Sequence, residues 1–392
     1  MAHDVLPPIL AGFVHRSPLT KIVFRAGALA ELGAELRELG IRRPLLLAGQ
    51  RSAASSIYAG AVAALSGLDC AAFTGVPQHS SLEAVAAIVA LAKAHGADGL
   101  IAIGGGSASD SAKAAALWLA EGGELRDHAS RFTPPDKLVI PELRQPKLPI
   151  VAVPATASGA EVTPSLGVRT PDGRKLLFWD MKLAARLIVI DPAANLCVPA
   201  SLMLATGMNG LAHCVEGLYS KTRTPLTTAL ALHATGLFVE ALPRVKSAPD
   251  SLAARAALLT AAHLSGHVLL NARTCLHHAI CHALGAVTGV GHGAANAAIL
   301  PHAIEFNALA ASEAMAALVR AWPGARPGDS AADLVRGLQR QTGVPTRLRD
   351  IGVAREALDT VAAKVMGERG VYFNPRAVHG PDEIRSVLEA AW

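Results

Sequence analysis

The stretch ADGLIAIGGGSASDSAKAAALWLA, residues 97–120, decides the fold. Its apolar run ends at Ile101-Ala102-Ile103, and Gly104-Gly105-Gly106-Ser107 follows. An alanine-rich helical pattern then starts close to Ser109 or Asp110, both good N-caps. Strand, glycine turn and helix in that order belong to a parallel, doubly wound sheet. Three glycines let the backbone approach a ligand closely, and the free N–H groups at the helix start suit a pyrophosphate. The dinucleotide fingerprint would need glycine at position 109, where serine stands, and no Walker loop is present. A plain tight turn is the alternative reading of this loop.

Outward from it the alternation repeats. Residues 20–50 read as strand, helix and strand, and the second strand enters a loop at Gly49-Gln50-Arg51. A helix near 55–67, a strand at 69–73 and a helix at 82–95 follow. Residues 123–146 are polar and contain prolines, so they form an excursion. LPIVAVPATASGAEVTP, 148–164, is a strand running into a small-residue loop, and RLIVIDP, 186–192, is the last strand pattern. Thr156 and Ser158 stand where they can line the crevice at the carboxyl ends of the strands. Beyond residue 196 the texture becomes alanine- and leucine-rich helix. The expected architecture is an α/β nucleotide-binding domain over 1–195 followed by an all-helical domain over 196–392.

The helical half holds CLHHAICHALGAVTGVGHGAANAAILPHAIEFN, residues 275–307, with His277, His278, His282, His292 and His302. His278 and His282 are four apart and share a helical face. His292 follows after a glycine-rich turn. Imidazoles so grouped can bind a metal or pass a proton. Taken singly, each is equally well read as an interior histidine with its hydrogen bonds satisfied.

Composition narrows the function. The chain has 392 residues, 51% of them hydrophobic but only 4% aromatic, so alanine, leucine and valine must fill the core. A formal charge of +5, not concentrated in runs, points to small, even anionic, substrates rather than nucleic acid. No stretch reads as a membrane span, because runs such as 252–270 are broken by Arg255, His263 and His267. MAHDVLPPIL at the start lacks the pattern of an export signal. Cys70, Cys197, Cys214, Cys275 and Cys281 include no CxxC pair, and their odd number suits free thiols in a reducing cytoplasm.

The chain resembles the iron-containing alcohol dehydrogenase superfamily over nearly its whole length. The resemblance is carried by GGGSASDSAK at 104–113, DP at 191–192, TGMNGLAHCVEGLYS at 206–220 and HHAICHALGAVTGVGHGAANAAILP at 277–301. Within it, PATASGAE at 154–161, LHHAICHALG at 276–285 and NPR at 374–376 look most like the maleylacetate reductase branch. Asp110 instead follows the alcohol dehydrogenase pattern. The resemblance implies an active site in the cleft between the two domains and hydride transfer with NADH or NADPH. It places Gly104, Gly105, Gly106, Ser107, Asp110, Thr156, Ser158, Lys175 and Gly49 at the cofactor. It also implies a role in breaking down aromatic compounds. The alternative is an alcohol or aldehyde dehydrogenase of the same family.

Metal-dependent members use an Asp, a His four residues on, and two further histidines. Here these positions are Asn209, His213, His278 and His292. An amide and three neutral imidazoles leave a divalent iron or zinc uncompensated, so tight binding is not expected. The expected mechanism uses His278, His292 and His213 as donors to the substrate, with His282 orienting them or meeting the nicotinamide. Arg223 and Arg376 are candidates for substrate carboxylates. The apolar helices of the second half are compatible with a homodimer.

Overall fold

The structure, a computed structural model, describes residues 12–392, so the N-terminal stretch read above for an export signal lies outside the described residues. Contacts divide the described residues into an α/β unit, 17–131 and 138–199, and a helical unit that takes in 12–16, 132–137 and 200–392.

The α/β unit holds β1 (Lys21–Phe24), β2 (Pro44–Leu47), β3 (Ala71–Phe73), β4 (Gly99–Gly104), β7 (Ile150–Pro154) and β10 (Leu187–Ile190) in one sheet, ordered β1-β10-β7-β4-β2-β3. All the pairings are parallel. PLLL, GLIAIG and LIVI are buried at every position, as strands covered on both faces must be. Helices α1 (Leu32–Glu38), α2 (Gln50–Ala53), α3 (Ser56–Ala64), α4 (Leu82–His95) and α5 (Gly106–Glu121) connect them. The excursion carries short strands β5 (Arg131–Thr133) and β6 (Lys137–Val139), which pair with each other. A hairpin of β8 (Ser165–Arg169) and β9 (Lys175–Trp179) was not anticipated. Its strands are five residues each around an exposed Pro-Asp-Gly turn, too short for a periodic signal.

The sheet order sets the ligand position. From β2 the chain moves outward to β3, then returns to β4 on the other side of β2. The turns after β2 and β4 therefore open side by side at a switch point. Their closeness is measurable: Gly104 has φ +140, and a Cβ on it would stand 2.9 Å from Ser52 Oγ.

The helical unit contains α6 (Ala200–Tyr219), α7 (Pro225–Ser247), α8 (Leu252–Ala272), α9 (Leu276–Thr288), α10 (His292–Asn307), α11 (Ser312–Ala321), α12 (Ala331–Thr342), α13 (Leu358–Val365), α14 (Gly370–Phe373) and α15 (Pro381–Ala391). Glycines let α6 approach its neighbours: a Cβ on Gly217 would lie 2.1 Å from Val268 Cγ1, and one on Gly207 2.6 Å from Leu242 Cδ2. Among the described residues, α7 is the one helix long and apolar enough to cross a membrane. It packs on α6 and α8, and the face bearing Ala231, Ala234, Phe238 and Leu242 is buried. A second core gathers Leu276, Ile280 and Leu284 of α9 with Val361 and Val365 of α13 and Leu388 of α15. That core fixes the inner face of α9 and turns its histidines the other way.

Candidate functional site

In the α/β unit the glycine turn leads straight into α5. Gly105 is the N-cap and no side chain caps the helix, so its first N–H groups stay available. A Cβ on Gly105 would come 3.1 Å from Thr156 Cγ2, and one on Gly106 3.4 Å from Ala160 Cβ. The loops after β4 and β7 thus pack wall to wall, and glycine is what lets a ligand's phosphates reach the backbone there. Thr156 and Ser158 hydroxyls lie 3.2 Å apart on that wall. The loop after β3 joins them. His79 N donates to Ser107 Oγ at 2.9 Å, and Ser80 and Ser111 hydroxyls meet at 2.8 Å. His79 and Ser80 both have positive φ, 68 and 42. This loop was not singled out by sequence.

Asp110 and Lys175 occupy positions with local partners. Asp110 Oδ2 accepts the Gly167 N–H at 3.1 Å, which ties α5 to the β8–β9 hairpin. Burial pushes its carboxyl up, while Lys113, Lys175 and that N–H pull it down. The Lys175 stem crosses Gly167, where a Cβ would be 2.1 Å from Cε. Lys113 is fully buried, and its Nζ donates to Ala160 O at 2.8 Å and Ser165 O at 3.2 Å. It staples the loop after β7 to α5, and burial lowers its pKa.

In the helical unit the histidines converge. His213 on α6 stacks on His278 of α9, with centroids 4.7 Å apart. His282 stacks on His292 at 5.6 Å, and His278 lies 5.9 Å from His292. His302 stands apart, with Nδ1 3.7 Å from Glu305. The organising residue is one that sequence reading missed. Glu216, fully buried on α6, faces the start of α9, where Oε2 is 2.5 Å from His278 Nδ1. It also takes the backbone N–H groups of Cys275, His277 and His278, so it caps α9. The available signal was a single acidic residue within an otherwise uncharged helix, three positions after His213.

The proton positions follow from the acceptors. His277 Nε2 lies 3.0 Å from Asn296 O, and a carbonyl only accepts, so Nε2 carries the proton. Its bare Nδ1 is 3.2 Å from His278 Nδ1, whose own proton is directed to Glu216 Oε2, 2.5 Å away. Burial pushes Glu216 up, but the N–H groups turned on it all require acceptors, and the carboxylate supplies them. His278 Nε2 is left facing Asn209 Oδ1 at 3.2 Å. The ring is thus held between a carboxylate and an amide oxygen. Burial and the neighbouring histidines push His213 well below its usual value, and the same causes lower His277 to about 4. Both are neutral at pH 7. His213 Nδ1 is buried without a hydrogen-bond partner.

The donor set tests the fit of a metal. Asn209, His213, His278 and His292 lie near one another, but as ligands all four would be uncharged donors, and the carboxylate stands behind His278 on its other nitrogen. Glu216, His277 and His278 also bring ligand atoms within 4.8 Å of one another. There, however, Glu216 is taken up by backbone N–H groups and His277 by Asn296 O. The residues present do not fit a tightly held divalent ion. The glycine cradle, by contrast, fits a dinucleotide's phosphates. Of the carboxylate candidates, Arg376 is committed elsewhere, 3.9 Å over the Phe306 ring and 2.9 Å from Glu383. Arg223 Nη1 reaches Ser220 O at 3.4 Å.

Comparison with known proteins gives two family matches: iron-containing alcohol dehydrogenase over residues 19–192, and the Fe-containing alcohol dehydrogenase family, C-terminal, over 203–392. A maleylacetate reductase of Pseudomonas sp. (strain P51) is 32% identical over 383 residues, 97% of each chain. An NAD-dependent methanol dehydrogenase of Bacillus methanolicus is 29% identical over 379 residues, 94% of this chain and 97% of the other. The crystal structure of a maleylacetate reductase from Agrobacterium tumefaciens superposes with a TM-score of 0.82 at 28% identity, covering 97% of this chain and 98% of that one.

Proposed function

The chain belongs to the iron-containing alcohol dehydrogenase family of oxidoreductases, and from that premise we propose that it reduces maleylacetate, or a similar unsaturated oxo-acid, with NAD(P)H and without a metal. The observation that carries the reading is the line Glu216–His278–Asn209, which fixes an imidazole between a carboxylate and an amide oxygen and orients it as a proton donor.

The dinucleotide, when bound, supplies a hydride. The N–H groups at the start of α5 hold its pyrophosphate, and Thr156 and Ser158 line the same loop wall. No carboxylate follows β2 at Gly49-Gln50-Arg51 and an arginine stands there, so a 2′-phosphate is tolerated and both NADH and NADPH serve. Hydride addition to the substrate's alkene carbon breaks the π bond and moves its electron pair through to the ketone oxygen, giving an enolate. His278 Nε2–H stabilises that oxygen, and the proton is then delivered to the adjacent carbon. The ring keeps its orientation throughout, because Nδ1–H stays bonded to Glu216. His213 and His292 complete the polar wall, and His282 braces His292.

The test is NAD(P)H consumption against maleylacetate, simple aldehydes and small 2-oxo acids, with and without chelator, beside elemental analysis. Maleylacetate is expected to be consumed fastest, with no effect of chelator. His278→Ala or His292→Ala should lower turnover by about 10²–10⁴-fold while dinucleotide binding persists. Normal turnover in both variants, or activity restored by iron after chelation, rejects the mechanism. A second reading, an alcohol or aldehyde dehydrogenase, is favoured by Asp110 and by the likeness to a methanol dehydrogenase. The aldehyde arm of the panel decides between them.

A further inference from the structure

Two arginines not singled out above flank the head of α9. Arg273 ends α8, two residues before the start of α9, with φ +62 and ψ 177, a backbone conformation that favours glycine. Arg369 stands at the start of α14. The two are brought together by Gly370, where a Cβ would lie 2.5 Å from Cys275 O, so α14 rests directly on the head of α9. The seating is locked: Cys275 Sγ meets Phe373 O at 3.4 Å, and Leu276 N donates to Asn374 Oδ1 at 3.4 Å. Arg273 Cζ then lies 4.9 Å over the Phe373 ring.

Each guanidinium feels a like charge. Burial lowers the Arg273 pKa, with Arg16 adding to the effect, and burial lowers that of Arg369, with Arg273 adding to it. Glu368 offsets Arg369 in part, but its carboxylate also lies 3.6 Å from His282 Nδ1. Among the described residues neither the Arg273 nor the Arg369 guanidinium makes an ion pair or a hydrogen bond. Two half-buried forks with like charge, one on a strained backbone, are an arrangement that an anion stabilises. The site lies one residue from the carboxylate that braces His282, and His282 stacks on His292.

We propose that Arg273 and Arg369 form a carboxylate-binding fork beside the histidine cluster, which selects dianionic oxo-acids. Its place in catalysis rests on the function proposed above; its capacity for carboxylates does not. Succinate, which cannot be reduced, is the probe. Titrated calorimetrically into the full chain, it should bind saturably. Arg273→Gly and Arg369→Gln should each weaken it roughly 10- to 100-fold, the range of one charge-assisted pair. Arg273→Gly relieves the backbone at φ +62 and is expected to melt no lower than the parent, which separates lost recognition from lost fold. No succinate binding by the parent, or parent-like binding by both variants, overturns the proposal. Arginine-dependent succinate binding in a protein that ignores maleylacetate would uphold the fork and reject the proposed reaction.

Discussion

At the scale of single residues, the proposed chemistry turns on Asn209. It stands where metal-dependent relatives place a carboxylate, and its amide oxygen lies 3.2 Å from His278 Nε2. Restoring the charge tests the assignment. Asn209→Asp adds an anion to three convergent imidazoles, so zinc or ferrous affinity should rise at least about tenfold, read by metal titration against a competing chelator. Unchanged affinity would mean that the imidazoles do not converge on one ion. The histidines and glycines were legible because their residue types have few other uses in such clusters. Glu216 was not, since one acid in an apolar helix carries no periodic signal, and its partners come from a segment about 60 residues away. Arg273 escaped for a related reason: its meaning lies in a dihedral angle and in a helix 96 residues further on.

At the scale of elements, the parallel strands were readable because burial on both faces demands unbroken apolar runs, as in LIVI and GLIAIG. The β8–β9 hairpin was not, because its two five-residue strands show no alternation of buried and exposed positions. The contact between α6 and α8 makes a quantitative prediction. A Cβ on Gly217 would lie 2.1 Å from Val268 Cγ1. Gly217→Ala should therefore destabilise the protein by about 1–3 kcal/mol in urea unfolding, the usual penalty of overpacking. Val268→Ala in the same chain should return part of that loss, a coupling that a double-mutant cycle detects. Additive losses would show that the two helices do not meet there. Because α6 carries Asn209, His213 and Glu216, the Gly217 variant should lose activity along with stability.

At the scale of the whole molecule, the proposed reaction divides the work between the two units: phosphates on a glycine turn in one, protons on a histidine cluster in the other. The sequence shows the change of texture between them because strand patterns stop at Pro192. It does not show that 132–137 joins the helical unit, since six residues of an excursion have no composition of their own. All five cysteines are free, and only Cys70 and Cys197 are exposed. Burial pushes the Cys214, Cys275 and Cys281 thiols up, away from the reactive thiolate. Ellman's reagent should therefore titrate two thiols quickly in the native protein and all five in denaturant. More than two fast thiols would place a buried one at the surface.

Glu216 has a further consequence. The carboxylate that closes the head of α9 also grips the His278 ring, so making the helix and arming the acid are one event. On the metal-free reading proposed above, folding alone would complete the proton donor, with no ion to insert afterwards.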